Sequence, residues 1–311
     1  MPARAGPLFR GGHGTSANRG IAYVAVLWAV ALLALLASVF VRSVRTDVSL
    51  VRNLQEQAEA QALAEAGMAL AVKGLATATA AGGLRADGTV YEMLLGDGRL
   101  RFSIQDEDGK IDLNAAPREL IEAHLRHAGS LEESRSGALA DAVIDFRDPD
   151  DLKRLEGAEA RDYAAAGSRY RPKNAPYATV GELAGVLGMD QAIYRSVADG
   201  FTVHSRSRRP DWTVAAPSLR RWLPEALKQR GEQPDDGRSA HAPALPLQVL
   251  DLGPTARRSD LGVFTIHAEG MSDGGGRFAV DCTVKLPRDG GPHAVLEWSQ
   301  AESYLFTEQG G

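Results

Sequence analysis

Cysteine is nearly absent from this chain of 311 residues, and Cys282 is the single one. One cysteine excludes an intrachain disulfide and any cysteine-built metal centre. It reads as a small apolar strand residue, since a reactive thiol needs an exposed, electropositive setting. An excess of positive charge is missing too: the formal net charge is −5, which argues against nucleic acid as the main partner. The sequence has no phosphate-binding glycine loop, no G-x-S-x-G elbow and no H-E-x-x-H pair. Nothing places a nucleophile beside a general base, so the chain does not read as an enzyme. Apolar residues make up 44% of it, enough for a real core outside any membrane segment.

A further absence is local: Ile21 to Val41 carries no charge at all. As a helix rising about 1.5 Å per residue, this run spans about 31 Å, the hydrocarbon thickness of a bilayer. A secretory signal would have a shorter apolar region followed by a small-residue cleavage site. Here Val41-Arg42-Ser43-Val44 instead continues a helical pattern. The leader Met1–Gly20 holds Arg4, Arg10 and Arg19 and no acid. That charge bias predicts a cytoplasmic N-terminus, with the bulk of the chain across the membrane. Beyond the run, Val44, Val48, Val51, Leu54, Ala58, Ala62, Ala66 and Ala69 recur at three- and four-residue spacing, with charged residues between them. The spacing predicts one long helix from Ile21 to about Ala71, apolar first and amphipathic after. Gly74 and Gly82-Gly83 are the expected stop.

After the helix the period changes. Thr89–Leu95 and Arg99–Gln105 read as strands joined by a turn at Gly96-Asp97-Gly98. Residues 110–203 turn helical. Strand patterns return at 247–252, 262–270, 277–286 and 293–300, with "MSDGGG" (271–276) as a hairpin between two of them. "SRSRRP" (205–210) and the polar tract 230–243 read as linkers. Asn114 is an expected cap for a helix beginning near Pro117, with Glu119 in its first turn. Thr179 is expected to cap a second helix, followed by a turn at Gly188 and a further helix after Asp190. The predicted class is α+β: a long N-terminal helix packed on an antiparallel sheet, with an all-helical domain inserted between strands.

A basic leader ending in glycine, then an apolar helix continuing as an amphipathic stem, resembles the type IV prepilin class. The order helix, strands, insertion, strands resembles more narrowly the K component of the type II secretion system, its large minor pseudopilin. "IDLNAAPRELIEAHL" (111–125), "LADAVIDFRDPDD" (139–151) and the "RPKNAPY" turn (171–177) run in that family's order. The resemblance implies a prepilin leader at 1–20, cut after Gly20 so that Ile21 becomes the N-terminus. It implies a long helix at 21–81, with 21–41 across the bacterial inner membrane and 42–81 as stem. A pilin-like β domain would comprise 82–109 and 206–311, around an inserted helical domain at 110–205. Ala25, Val44, Val48 and Val51 would pack in a filament. Expected partners are the I and J minor pseudopilins, the major pseudopilin and the prepilin peptidase, with no nucleic acid. One departure is informative: most members carry glutamate at the fifth mature residue, where this chain has Ala25. A carboxylate in hydrocarbon needs a partner, and a leading subunit has no amine ahead of it. The departure suits a subunit at the tip of the periplasmic pseudopilus, which exports folded proteins across the outer membrane.

Four other patterns bear on chemistry. Asp106, Asp108 and Asp112 fail the EF-hand template, because Ile104 and Ala115 fall on its first and twelfth places. Residues 145–162 are richer in acid. A hard cation such as calcium takes six to eight oxygens, and the resemblance allows calcium in this insertion, with Asp148, Asp150 and Glu159 as ligands. The plain alternative is a solvated acidic turn. His124 and His127 stand three apart but lack a third zinc ligand. Finally, "TVGELAGVLGMDQAIYRSV" (179–197) also resembles helix-hairpin-helix units, which leaves a membrane-tethered DNA-uptake protein as the alternative function. The acid-rich surroundings speak against it, and Arg206, Arg208 and Arg209 cluster in a serine-rich linker.

Overall fold

The computed structural model describes residues 17–77, 83–222, 245–246, 262–287 and 291–306, without the side chains of 17–22, 41–47 and 245–246. The expected strand at 247–252, the polar tract 230–243, and most of the leader lie outside the described residues. The chain divides into two compact units, residues 1–55 and 56–311.

Helix α1, Ala17–Thr77, is unbroken and runs through Gly74 beyond the expected end at Ala71. Within the first unit, Tyr23–Phe40 is long and apolar enough to cross a membrane, and its side chains are exposed. An all-round apolar helix of this length is stable where lipid replaces water.

The second unit is built on a six-stranded sheet in the order β5-β1-β2-β6-β7-β8. The strands are β1 (Asp87–Leu95), β2 (Gly98–Asp106), β5 (Leu245–Pro246), β6 (Val263–Met271), β7 (Arg277–Lys285) and β8 (Ala294–Gln300). Every pairing is antiparallel except the short β1–β5 contact. The first hairpin turns on two residues, Gly96-Asp97, and the "MSDGGG" segment closes the β6–β7 hairpin as expected. Alternate residues face one core: Leu100, Phe102 and Ile104 from β2, Phe264, Ile266 and Ala268 from β6, and Val280, Cys282 and Val284 from β7. Leu63, Ala64, Ala71 and Leu75 of α1 close it. Cys282 is a free, buried member of this core, and burial pushes its thiol pKa up. Ala60 and Ala64 are fully buried, because the sheet presses on the helix backbone. A Cβ at Gly270 would lie 2.7 Å from Ala64 N and nearer still to Ala60 O. Only glycine permits that approach.

Strands β2 and β6 are paired neighbours, yet a second core is threaded between them in sequence. It contains α2 (Arg118–Ala128), α3 (Glu133–Arg147), α4 (Ala160–Ala165), α5 (Gln191–Val197) and α6 (Pro217–Arg220). Ile121, Leu125, Val143, Tyr163, Leu183 and Phe201 lie at its centre. Two features differ from the sequence expectation. A two-residue parallel ladder, β3 (Ile111–Asp112) with β4 (Phe201–Thr202), joins the body's entry to its exit. The core also recruits Ala215, Ala216, Leu219 and Trp222, so the helical body draws on chain beyond residue 205. Replacing Gly270 with alanine should lower stability by about 2–3 kcal/mol through overpacking, seen as a lower urea midpoint for the detergent-solubilised protein. An unchanged midpoint would mean the helix can retreat without loss.

Candidate functional site

The residues that set this chain apart from a plain pilin-like fold are those that mount the helical body on the sheet. The mount begins where β2 ends. A 3₁₀ turn, Glu107–Gly109, is capped by Asp106, whose side chain accepts from Asp108 N. Glu107 is swallowed at the junction. Its Oε1 lies 2.6 Å from Lys110 Nζ and accepts from Thr265 Oγ1 of β6 at 2.7 Å, while Oε2 accepts from Thr202 Oγ1 of β4. One carboxylate therefore touches the sheet and the helical body at once. Burial works against its charge, but Lys110 and the two hydroxyls outweigh that and hold its pKa below 4.5. Nearby, Gln105 Nε2 donates to Val214 O at 2.7 Å, and Ala216 N donates to Gly109 O at 3.0 Å. A Cβ at Gly109 would meet Val214 C at 2.7 Å, so the returning chain lies flat on this turn.

Asp112 ties the entry of the body to its exit. Oδ1 accepts from Asn114 N (2.7 Å) and Ala115 N (3.0 Å), and Oδ2 accepts from Arg206 N (2.7 Å) and Ser205 Oγ (3.4 Å). Asn114 corrects its expected role. It caps no helix: Pro117 is the cap position of α2 and makes no side-chain bond there. Instead Asn114 Nδ2 donates to Tyr177 O at 2.9 Å and Oδ1 accepts from Tyr177 N at 2.7 Å. The "LNAAP" and "RPKNAPY" phrases are thus two halves of one clasp. Tyr177 drives on into the core, where its hydroxyl donates to Val143 O at 2.9 Å. Arg118 fastens α2 to α3 through Asp141 at 2.6 Å.

The acidic segment forms a loop between α3 and α4, and the expected ligands meet different fates. Glu159 is 6% exposed, and neither of its carboxylate oxygens finds a donor; Asp145 Oδ1 and Asp148 Oδ1 are likewise buried without a hydrogen-bond donor. Burial, then the charges of Asp145, Asp148, Asp151 and Asp150, push the Glu159 pKa up to about 7. Asp148 is raised by burial and by Asp150. Asp150 itself faces solvent and caps Leu152 N at 2.8 Å. Among the described residues, no three His, Cys, Asp or Glu side chains stand close enough to enclose a metal ion as placed. Asp145 is partly served by Arg154, whose backbone N donates to Oδ2 at 3.2 Å and whose Nε lies 3.5 Å from Oδ1; the donor chemistry that remains, clustered carboxylate oxygens short of hydrogen bonds, fits a hard cation. Sequence reasoning counted Asp145 in the acidic run but not among the ligands; it lies at the base of the loop on α3.

The remaining candidates separate. His124 is fully buried, with Nε2 2.9 Å from Val197 O and its ring edge-on to Phe201; His127 stacks on Trp222. They are packing residues. Thr179 precedes a 3₁₀ turn, Val180–Gly185, and makes no capping bond, whereas Asp190 does cap α5 through Ile193 N. The phrase resembling a helix-hairpin-helix therefore lacks a true first helix. Gly20 and Ile21 lie on the α1 backbone, but their side chains, like that of Val44, are not among those described. Ala25 is exposed, as are Val48 at 62% and Val51 at 63%.

A long helix with an apolar first half, an antiparallel sheet on its later turns, and a helical body threaded between paired strands together define an α+β protein with a helical insertion. Residues 103–204 match the family model described as Type II secretion system (T2SS), protein K. The fold matches a chain in the crystal structure of the GspK-GspI-GspJ complex from the enterotoxigenic Escherichia coli type 2 secretion system. The TM-score is 0.51 at 16% identity, over 84% of this chain and 99% of that one. No curated protein sequence matches. Among the described residues, one helix is long and apolar enough to anchor the chain in a membrane.

Two measurements probe the mount. Asn114→Ala strips both backbone groups of buried Tyr177 of their partners and should cost about 2–4 kcal/mol in urea unfolding. Glu107 should shape the acid limb of the stability curve. Its folded pKa lies below its ordinary value of 4.5, so its contribution is fully present above that value and lost as pH falls through the lower one. Glu107→Gln should flatten this acid limb, and an unaltered limb would show that Glu107 has no share in it.

Proposed function

We propose that this chain is the minor pseudopilin at the tip of a type II secretion pseudopilus, where it helps initiate and cap the filament. The observation that carries the reading is the helical body with its own core, held rigidly beside the pilin-like sheet. A shaft of laterally packed helices leaves no room for such a body on every subunit, whereas an end position does. Ala25 supports the same placement, since a leading subunit has no amine ahead of it for a glutamate to meet. The exposed apolar stretch of α1 would sit in the inner membrane, the bulk in the periplasm. Val48 and Val51 would then meet neighbouring helices as the subunit enters the filament. The I and J pseudopilins, the major pseudopilin and a prepilin peptidase cutting between Gly20 and Ile21 are the partners of this reading. The role is mechanical, with no chemical step of its own.

Calcium belongs to the same proposal. Asp148, Asp150 and Glu159, with Asp145 behind them, would hold the ion, which would neutralise their mutual repulsion and order the loop. Millimolar calcium should raise the thermal midpoint by about 5 °C over chelator. Glu159→Gln should raise the midpoint in chelator and abolish the calcium response. A calcium response that survives this substitution would move the site elsewhere.

The tip reading is tested at the leader and in the filament. Gly20→Asp should leave uncut precursor in cells that carry the cognate peptidase. Ala25→Glu should leave secretion unimproved or lower it. Normal processing of the first variant, or a clear gain in assembly by the second, would sink the reading.

A further inference from the structure

The face of the sheet turned away from α1 is polar, and the chain's last described residues cross it. After β8, Ala301 N donates to Ala279 O at 3.0 Å, and the segment continues over β7, β6 and β2 as far as Phe306. Its anchor is Glu269 of β6, which is fully buried. Glu269 Oε1 accepts from Tyr304 N and Leu305 N, each at 2.6 Å, and Oε2 accepts from Ser303 Oγ at 2.6 Å. Arg101 of β2 donates to Leu305 O and lies 4.7 Å over the Phe306 ring.

His267 stands beside this anchor. Its Nε2 is 2.9 Å from Glu269 Oε1, its Nδ1 is 2.6 Å from Asp281 Oδ1 of β7, and Tyr304 stacks on its ring at 4.1 Å. The geometry dictates the protons. Glu269 accepts three bonds from the crossing segment, as an ionised carboxylate does. Both ring nitrogens of His267 then face carboxylate oxygens, which only accept. A neutral imidazole has one N–H and would set a lone pair against one of them, so the contacts call for the imidazolium. The directions of titration agree. Burial opposes the charge on His267, but Asp281 and Glu269 outweigh it and lift its pKa above 6.5. Burial likewise opposes Glu269, yet His267, Ser303 and the Leu305 and Tyr304 amides hold it at about 2.

We infer that the His267 imidazolium pins residues 301–306 to the sheet as a strap, and that loss of its proton loosens the strap. The charged neighbours leave His267 as the group that changes state near neutrality. From β2 come Arg101, paired with Glu92 of β1 at 3.2 Å, and Ser103, which bonds the Tyr304 hydroxyl. From β7 come Asp281 and, on the core side, Cys282, with its thiol raised. The strap brings Tyr304, whose phenol is raised well above its ordinary value by burial, then by Asp281, Glu269 and Asp199. It also brings Glu302, 3.9 Å from Arg195 of α5. Because the folded pKa of His267 is raised, its contribution is complete below 6.5 and lost as pH rises through the folded value. The strap closes in acid and neutral conditions and loosens in alkali. This holds whether or not the tip and calcium readings do.

Amide hydrogen exchange of residues 299–306, in the full chain in detergent, tests the inference at pH 6 through 9 after correction for the intrinsic rate. Protection at Tyr304 and Leu305 should fall by about tenfold or more across that range. Asp281→Asn should move the midpoint of the fall down by about one pH unit. His267→Gln should exchange at pH 6 as the unaltered protein does at pH 9. Equal protection at pH 6 and pH 9, or an Asp281→Asn midpoint that does not move, overturns the proposal. If His267→Gln fails to fold, the other two series decide, since the Asp281 side chain is 45% exposed and its amide analogue keeps the shape.

Discussion

Three backbone amides and one hydroxyl converge on Asp112, and they come from both ends of the helical body. A long excursion from a sheet returns to its starting point only against the entropy of closing the loop. Here the closure is fixed by bonds to a carboxylate that is 1% exposed. A buried charge left short of donors is expensive, so the chain cannot drift from this geometry without a penalty. The β3–β4 ladder, the Glu107 contacts and the Gln105 bond all lie within a few residues of that tie. They make a joint with several independent constraints instead of a flexible pair of linkers.

The sheet is held to α1 by a different principle. No ion pair is needed where Gly270 lets strand backbone rest on helix backbone and buried alanines bring the surfaces together. Dispersion and apolar burial dominate there, and at Gly270 the interface leaves no room for an added methyl group. The joint to the helical body is polar and directional, so it fixes an orientation. The joint to the stem is apolar and close, so it fixes a distance.

Much of this architecture could be read from residue order, and the reason is local physics. The apolar run, the alanine-rich stem, the Gly96-Asp97 turn and the "MSDGGG" hairpin each encode their conformation within a few positions. The contacts of the mount do not. Glu107 meets Thr202 and Thr265, and Asn114 meets Tyr177, across separations that no spacing rule reaches. Asn114 shows the difficulty: an asparagine ahead of a proline and a glutamate satisfies the local logic of a cap, yet the side chain serves a distant backbone instead. Thr179 fails for a related cause, since the segment after it tightens into a 3₁₀ turn beneath Leu183. In the acidic loop, composition marks a run of carboxylates but not the surroundings of each. Burial then sorted its members, drawing in Glu159 and Asp145 and leaving Asp150 at the surface.

The buried carboxylates fall into two kinds, and the contrast separates structure from function. Glu107, Asp112 and Glu269 are fully supplied with donors, and Glu107 and Glu269 titrate below their ordinary value. Such groups are part of the fold and need nothing from outside. Glu159, Asp145 and Asp148 are undersupplied, and all three titrate above theirs. These three stand between the last turn of α3 and the cap of α4, and only Asp145 among them is partly served, by Arg154. Their repulsion must be relieved by protons or by a cation. With the Glu159 pKa at about 7, a proton relieves that repulsion in part near neutral pH. The same contrast applies to His267, whose two nitrogens are matched to acceptors only when both carry protons. In each case the unmet or conditional bond marks a place where solution conditions enter the structure.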